Sequence, residues 1–292
     1  MLFIFSEPPF YANNVSLPSE LDATPSEIAD NPRFMPYFQH VLGALDGSHF
    51  PWAPPAAERS LNRDRKGQLT QNCLVACSFN LLFTYFTSGY EGSTSDAAMF
   101  LDARLHDFRI PQGKCWLADA GFGSCEELLV PYRGHRYHLA EWRKGQRRPL
   151  CKEELFNLRH ASARNAIERI FGVFKKRFRI LRLPAEYSLD IQARIPPALA
   201  SIQNFIRRHG MSDRETILEL QREIEAEIAA LTMDQLGDLA DGPTSPVEKA
   251  EGDSRRDQIA TAMWNDYLVI IQARGLMEAR DDEVGQLSVP AE

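Results

Sequence analysis

Two short apolar runs, Val41-Leu42-Gly43-Ala44-Leu45 and Cys115-Trp116-Leu117-Ala118, each end on an aspartate followed within two residues by glycine: Asp46-Gly47 and Asp119-Ala120-Gly121. An apolar run bounded by turn chemistry suits a strand inside a sheet, so the pattern predicts two buried strands, each delivering an aspartate at its exit into a turn. Between them, Leu69 to Tyr90 is apolar and β-branched or aromatic, with Phe79-Asn80 near its middle, which predicts a hairpin of two buried strands. Ser93-Thr94-Ser95-Asp96 then offers capping side chains for a helix running to about His106. The best helical signal is Lys152 to Phe178, where Ile167, Ile170, Phe171, Phe174 and Phe178 recur at helical spacing and Glu168 lies one position off that stripe. Strands and helices distributed in this way predict one large α/β core.

Residues 1–40 are rich in Pro, Asn, Ser and Asp and read as an extended N-terminal arm, with a short helix from Pro25 that Thr24 could cap. Pro51 to Lys66 combines prolines with clustered charges, the pattern of a surface loop. Ile180 to Leu183 reads as a strand, and Leu189 to Arg208 as a helix that Pro196-Pro197 should break or kink. Beyond Gly210 the chain holds 19 acidic and 7 basic residues. It reads there as a helix from Arg214 to Leu231, a linker near 241–254 and a helix near Arg255 to Ala273. The expected organisation is an arm (1–40), a central α/β domain (41–210) and an acidic helical region (211–292).

The net charge of -7 argues against a chain that coats itself in nucleic acid, but it averages over a strong asymmetry. Pro131 to Arg182 holds 15 Lys and Arg against 4 Asp and Glu, so contact with a polyanion is expected to be confined to one stretch. The five cysteines are odd in number and lack a Cys-x-x-Cys pair, which predicts buried thiols rather than disulfides or structural zinc. No apolar run approaches the ~20 residues that a membrane helix needs.

Three acids far apart in sequence, two at strand exits and one on a helix, suit metal-assisted phosphodiester chemistry. Hard divalent cations prefer oxygen ligands, and two of them about 4 Å apart can activate water and neutralise a leaving oxygen. Spacing alone does not select these acids from the 40 in the chain. The surrounding words do: Gly43-Ala44-Leu45-Asp46-Gly47-Ser48-His49, Ser88-Gly89-Tyr90-Glu91-Gly92-Ser93-Thr94-Ser95-Asp96, Leu117-Ala118-Asp119-Ala120-Gly121-Phe122, Leu129-Val130-Pro131-Tyr132-Arg133, and Arg164-Asn165 followed by Ile167-Glu168-Arg169 and Phe171-Gly172. This ordered series resembles the PIF/Harbinger group of DDE transposases and their nuclease relatives, from about Pro25 to Phe205. The resemblance implies an RNase H-like core, a mixed central sheet flanked by helices, carrying the acidic helical extension. It also implies a triad of Asp46, Asp119 and Glu168 binding Mg2+ or Mn2+, with the family's further acid at Asp96 near the site and a low-priority metal ligand.

Each assignment has a plainer rival. Asp46 and Asp119 could be turn residues, Asp96 a first-turn acid complementing the helix dipole, and Glu168 an exposed partner of Arg164 at i, i+4. Arg164, Arg169, Lys175 and Lys176 could be a solvated helix face, but beside such a triad they read as phosphate contacts that position DNA without reading it. The expected activity is divalent-metal-dependent DNA endonuclease and strand transfer in the nucleus. The family's helix-turn-helix region has no counterpart in residues 1–40, so end recognition is expected from a Myb-like partner. The rival reading is a domesticated, non-catalytic adaptor that binds chromatin or other proteins.

Overall fold

The computed structural model describes residues 1–60, 62–137, 142, 148–210, 222 and 244–273. Its centre is a five-stranded sheet in the order β3-β2-β1-β4-β5. Strands β1 (Val41–Pro51), β2 (Thr70–Cys77) and β3 (Phe83–Glu91) form an antiparallel meander. Strands β4 (Cys115–Leu117) and β5 (Leu128–Leu129) add in parallel on the other edge of β1. With helices on both faces this is the mixed α/β, RNase H-like arrangement expected.

The predicted hairpin is present, turning through Ser78 to Leu82 with Leu81 at φ 62°. The predicted turn at Asp46-Gly47 is not. β1 keeps an unbroken register with β2 from Ala44 opposite Cys77 to Pro51 opposite Thr70, so Asp46 sits mid-strand, across from Val75. Every residue of β2 is buried and its backbone must be paired, so the ladder overrides the local turn preference of Asp-Gly. Asp119 does fall just past the end of β4, as expected.

Alternation along the strands divides the core. Ala44 and Leu117 pack on one face with helix α5 (Lys152–Arg177), and Leu45 and Ala118 on the other with α4 (Asp96–His106). On α5 the predicted stripe is core: Phe174 lies 4.8 Å from Phe83 and 6.2 Å from Phe50 between ring centroids. Ser95 caps α4 by accepting from the Ala98 N–H at 3.3 Å.

Ile180 to Leu183 is not a strand. Arg179–Arg182 forms one 3-10 turn that buries Leu181. The β3 edge that another strand would need is already occupied. Helix α6 (Leu189–His209) reaches it through Asn204, whose Oδ1 accepts from Phe83 N–H and whose Nδ2 donates to Phe83 C=O. The same helix runs through Pro196 and Pro197 without the expected break. A proline leaves the carbonyl four residues earlier without its helical donor. Here Gln71 Nε2 donates to the freed Gln192 C=O at 3.2 Å and Ser88 Oγ to the freed Ala193 C=O at 2.6 Å, so sheet side chains replace both lost bonds.

The N-terminal residues are helical rather than extended. Helices α1 (Leu2–Ser6) and α2 (Phe10–Asn14) dock on α6, with Phe10 packed between Phe5 and Phe205. The helix after Pro25, α3 (Ser26–Ala29), is present, but Thr24 does not cap it and instead donates to Gln39 C=O at 2.9 Å. Helix α7 (Pro246–Ala273) begins inside the expected linker and buries Ala260 and Met263 in the core beside α5. The helix expected over 214–231 falls outside the described residues, apart from residue 222. Cys73, Cys77, Cys115 and Cys125 are buried free thiols, and Cys151 is half-buried and free.

Candidate active site

The pairing of β1 with β4 brings the two aspartates together. Ala44 stands opposite Leu117, and two residues further along each chain come Asp46 and Asp119. A step of two residues returns to the same face of a strand, so Asp46 shares the α5 face of β1 with Ala44, while Asp119, two residues past the end of β4, is near enough to act on the Asp46 charge. Helix α5 crosses that face and presents Arg164 and Glu168, one helical turn apart.

Arg164 is the hub. Its side chain is 8% exposed and each guanidinium nitrogen donates: Nη1 to Asp46 Oδ2 at 3.0 Å, Nη2 to Glu168 Oε1 at 3.1 Å, and Nε to the Tyr137 hydroxyl at 2.8 Å. Burial works against its charge, but Tyr137, Asp46, Glu168 and Asp119 hold it protonated. The i, i+4 pairing of Arg164 with Glu168 is therefore present, and the same guanidinium reaches Asp46 as well.

Asp96 arrives from the other face. Residue 47 is on the opposite side of β1 from Asp46, and a Cβ built there would lie 2.0 Å from Asp96 Oδ1, so only glycine admits the carboxylate. Asn72 on β2 fixes it, donating to Asp96 Oδ1 at 3.0 Å and to Thr94 C=O at 2.9 Å. Sequence reasoning missed Asn72: with Thr70 and Gln71 it forms a buried polar group at the head of a strand that is otherwise apolar, the one signal that could have found it. Asp119 is held by the Gly121 N–H, which donates to its Oδ1 at 2.8 Å.

The acids repel one another in this enclosure. Burial pushes Asp46 up to about 7; Arg164 opposes the shift, while Asp119, Asp96 and Glu168 add to it. Burial, and then the charge of Asp119, raises Asp96 to about 6. No three His, Cys, Asp or Glu side chains among the described residues close on a single point as a preformed metal cage. The donor chemistry nonetheless fits a hard cation: oxygen ligands from three elements, with more negative charge than one guanidinium offsets.

The expected phosphate contacts are placed differently from the expectation. Arg164 is enclosed by the acids. Lys175 donates to His49 C=O at 3.0 Å, lies over Phe50 at 4.7 Å, and is held down to about 8 by burial. Arg169 is half-buried and its Nε has no hydrogen-bond partner among the described residues, while Lys176 is half-buried. They do not form an outward comb of cations. No helix among the described residues is long and apolar enough to cross a membrane.

A family model described as DDE superfamily endonuclease matches residues 45–204. Curated relatives named "Putative nuclease HARBI1" from Rattus norvegicus and Homo sapiens are each 27% identical over 177 residues, covering 59% of this chain and 47% of theirs. The Bos taurus protein of the same name is 26% identical over the same length. The chain thus spans about half the length of the curated relatives it matches. No solved structure matches it.

Proposed function

Since the chain belongs to the DDE superfamily endonucleases, we propose that it is a divalent-metal-dependent DNA endonuclease whose ligands are Asp46, Asp119 and Glu168. The observation that carries this reading is the buried Arg164 guanidinium bridging Asp46 and Glu168, with Asp119 and Asp96 near enough to act on the Asp46 charge. Mg2+ or Mn2+ bound there would activate a water for in-line attack and neutralise the leaving oxygen of a scissile phosphate. The chain's own residues do the rest. Gly121 and Arg164 orient Asp119 and Asp46, and Asn72 keeps Asp96 beside them as an auxiliary acid. Hydrolysis would leave a 3'-hydroxyl, the nucleophile a transposase uses for strand transfer. A nuclear location and a Myb-like partner for end recognition belong to the same proposal.

The test is nicking of supercoiled plasmid by purified protein with Mn2+ or Mg2+. Nicking that is lost in Asp46→Asn and Asp119→Asn is the expected result. Absence of nicking, or equal nicking by the variants, rejects the proposal.

One observation favours a second reading, a non-catalytic adaptor that keeps the fold. Arg164 already neutralises part of the charge of two triad acids, and the acids form no preformed cage. Titration with Mn2+ separates the two readings: no binding that depends on Asp46 would favour the adaptor.

A further inference from the structure

Arg164 and Lys175 are committed to contacts inside the protein, but other cations close to the acid-bearing elements face solvent. The connection from β1 to β2 ends in a tight turn. Asp64 Oδ1 accepts from the Lys66 and Gln68 backbone N–H groups, Asp64 C=O accepts from Gly67 N–H, and Gly67 takes φ 75°. Arg63 donates to Gly67 C=O at 2.6 Å, closing the turn from the side. At its tip, Arg65 and Lys66 are exposed, and neither has an ion-pair partner among the described residues.

The turn is tied to the site. Its base is a ladder extension: Arg63 bridges Leu69, and Thr70 N–H donates to the C=O of buried Asn62 at 2.9 Å. Gly92, four residues before Asp96, packs so closely on Thr70 and Asn62 that an added Cβ would lie 2.5 Å from Thr70 C=O. Arg65 acts electrostatically on Asp96, and Arg65 and Lys66 both act on His49 of β1. A chain with net charge -7 therefore places two uncommitted cations on a turn braced against the segment that leads into Asp96.

We infer that the Arg65-Lys66 turn is a DNA-backbone clamp that grips phosphates flanking the one presented to Asp46, Asp119 and Glu168. The inference rests on the nuclease reading for its substrate class. A polyanion is repelled by the acids themselves, so cations on this turn, held where the backbone bonds of Asp64 fix them, supply the attraction that delivers it. Such contacts carry no sequence information and would act alike on any duplex.

The test measures binding of a 30-base-pair duplex in EDTA, so that no cleavage is required, as a function of KCl concentration. Each phosphate contact contributes roughly 0.9 to the slope of log K against log salt. Arg65→Gln/Lys66→Gln is expected to reduce that slope by about 2 and to weaken two unrelated duplexes equally, with unchanged thermal unfolding. Arg109→Gln, which removes an exposed charge beyond the far end of α4, is expected to leave the slope in place. An unchanged slope in the double variant overturns the clamp, as does failure of the native protein to bind the duplex. Tight, salt-dependent binding without plasmid nicking would sink the catalytic proposal and leave the clamp standing.

Discussion

Arg164 on helix α5 and Asp46 on strand β1, 118 residues apart in the chain, are joined by a 3.0 Å charge-assisted hydrogen bond at the centre of the acid cluster. The same guanidinium reaches Glu168, so one buried cation holds the strand-borne and helix-borne acids in a common orientation. Removing the cation leaves the buried carboxylates uncompensated, which costs about 3–5 kcal/mol, whereas removing one of several crowded acids does not.

Arg164→Met is therefore expected to lower the urea midpoint by an amount corresponding to roughly 3 kcal/mol, and to reduce any nicking at least 100-fold. Arg164→Lys keeps the charge but not the three-way fork, and should fall between native and Met in both measurements. A Met variant as stable as the native protein would show that the guanidinium does not organise the cluster.

The acidity of Asp46 makes a pH prediction with a definite sign. Its folded value near 7 exceeds the ordinary 3.8, so the folded chain binds this proton more tightly than the unfolded one. Ionisation of Asp46 thus destabilises the fold progressively as pH rises from about 4 to about 7, and the loss is complete above that window. In calorimetry with EDTA, Asp46→Asn should melt with the native protein near pH 4 and above it at pH 8, by on the order of 4 °C. An advantage that shrinks as pH rises would contradict the reading of Asp46 as a strained, functional acid.

Gly47 and Asp96 form a steric pair. Gly47→Ala places a methyl group 2.0 Å from Asp96 Oδ1, and the strand or the carboxylate must give way. A loss of roughly 2 kcal/mol is expected, in the range for overpacking. Asp96→Ala should relieve much of it, so the two substitutions together should cost less than their sum. Strict additivity in chemical denaturation would place Asp96 away from Gly47 in solution.

The two internal prolines of α6 predict another non-additive pair. Ser88→Ala strips the donor from the partly buried Ala193 C=O and should cost about 1 kcal/mol, the low end of the penalty for an unpaired carbonyl. Pro197→Ala restores a helical N–H to that carbonyl. In the Pro197→Ala background the effect of Ser88→Ala should fall below roughly 0.5 kcal/mol, read from denaturation midpoints.

The features legible in the chain were those controlled by local periodicity and by long motifs. The helix carrying Glu168, the hairpin around Phe79-Asn80, a helix cap within Ser93 to Asp96 and the strand ending before Asp119 each follow from side-chain spacing within one segment. The DDE motifs marked Asp46, Asp119, Glu168 and Asp96 by their surrounding words. What spacing did not contain was the identity of the neighbours. Asp46-Gly47 reads as a turn by itself, and it stays extended because β2 supplies a hydrogen-bonding partner along its whole length. Pro196-Pro197 reads as a break, and it is tolerated because Gln71 and Ser88 satisfy the freed carbonyls from the sheet. Arg164 and Lys175 read as outward cations, and each is drawn inward by acceptors from another element. Local sequence determined which segments are strands and helices and which acids carry the motif. Tertiary packing alone decided which polar groups meet, because a hydrogen-bond partner more than 100 residues away leaves no trace in the spacing of the segment it satisfies.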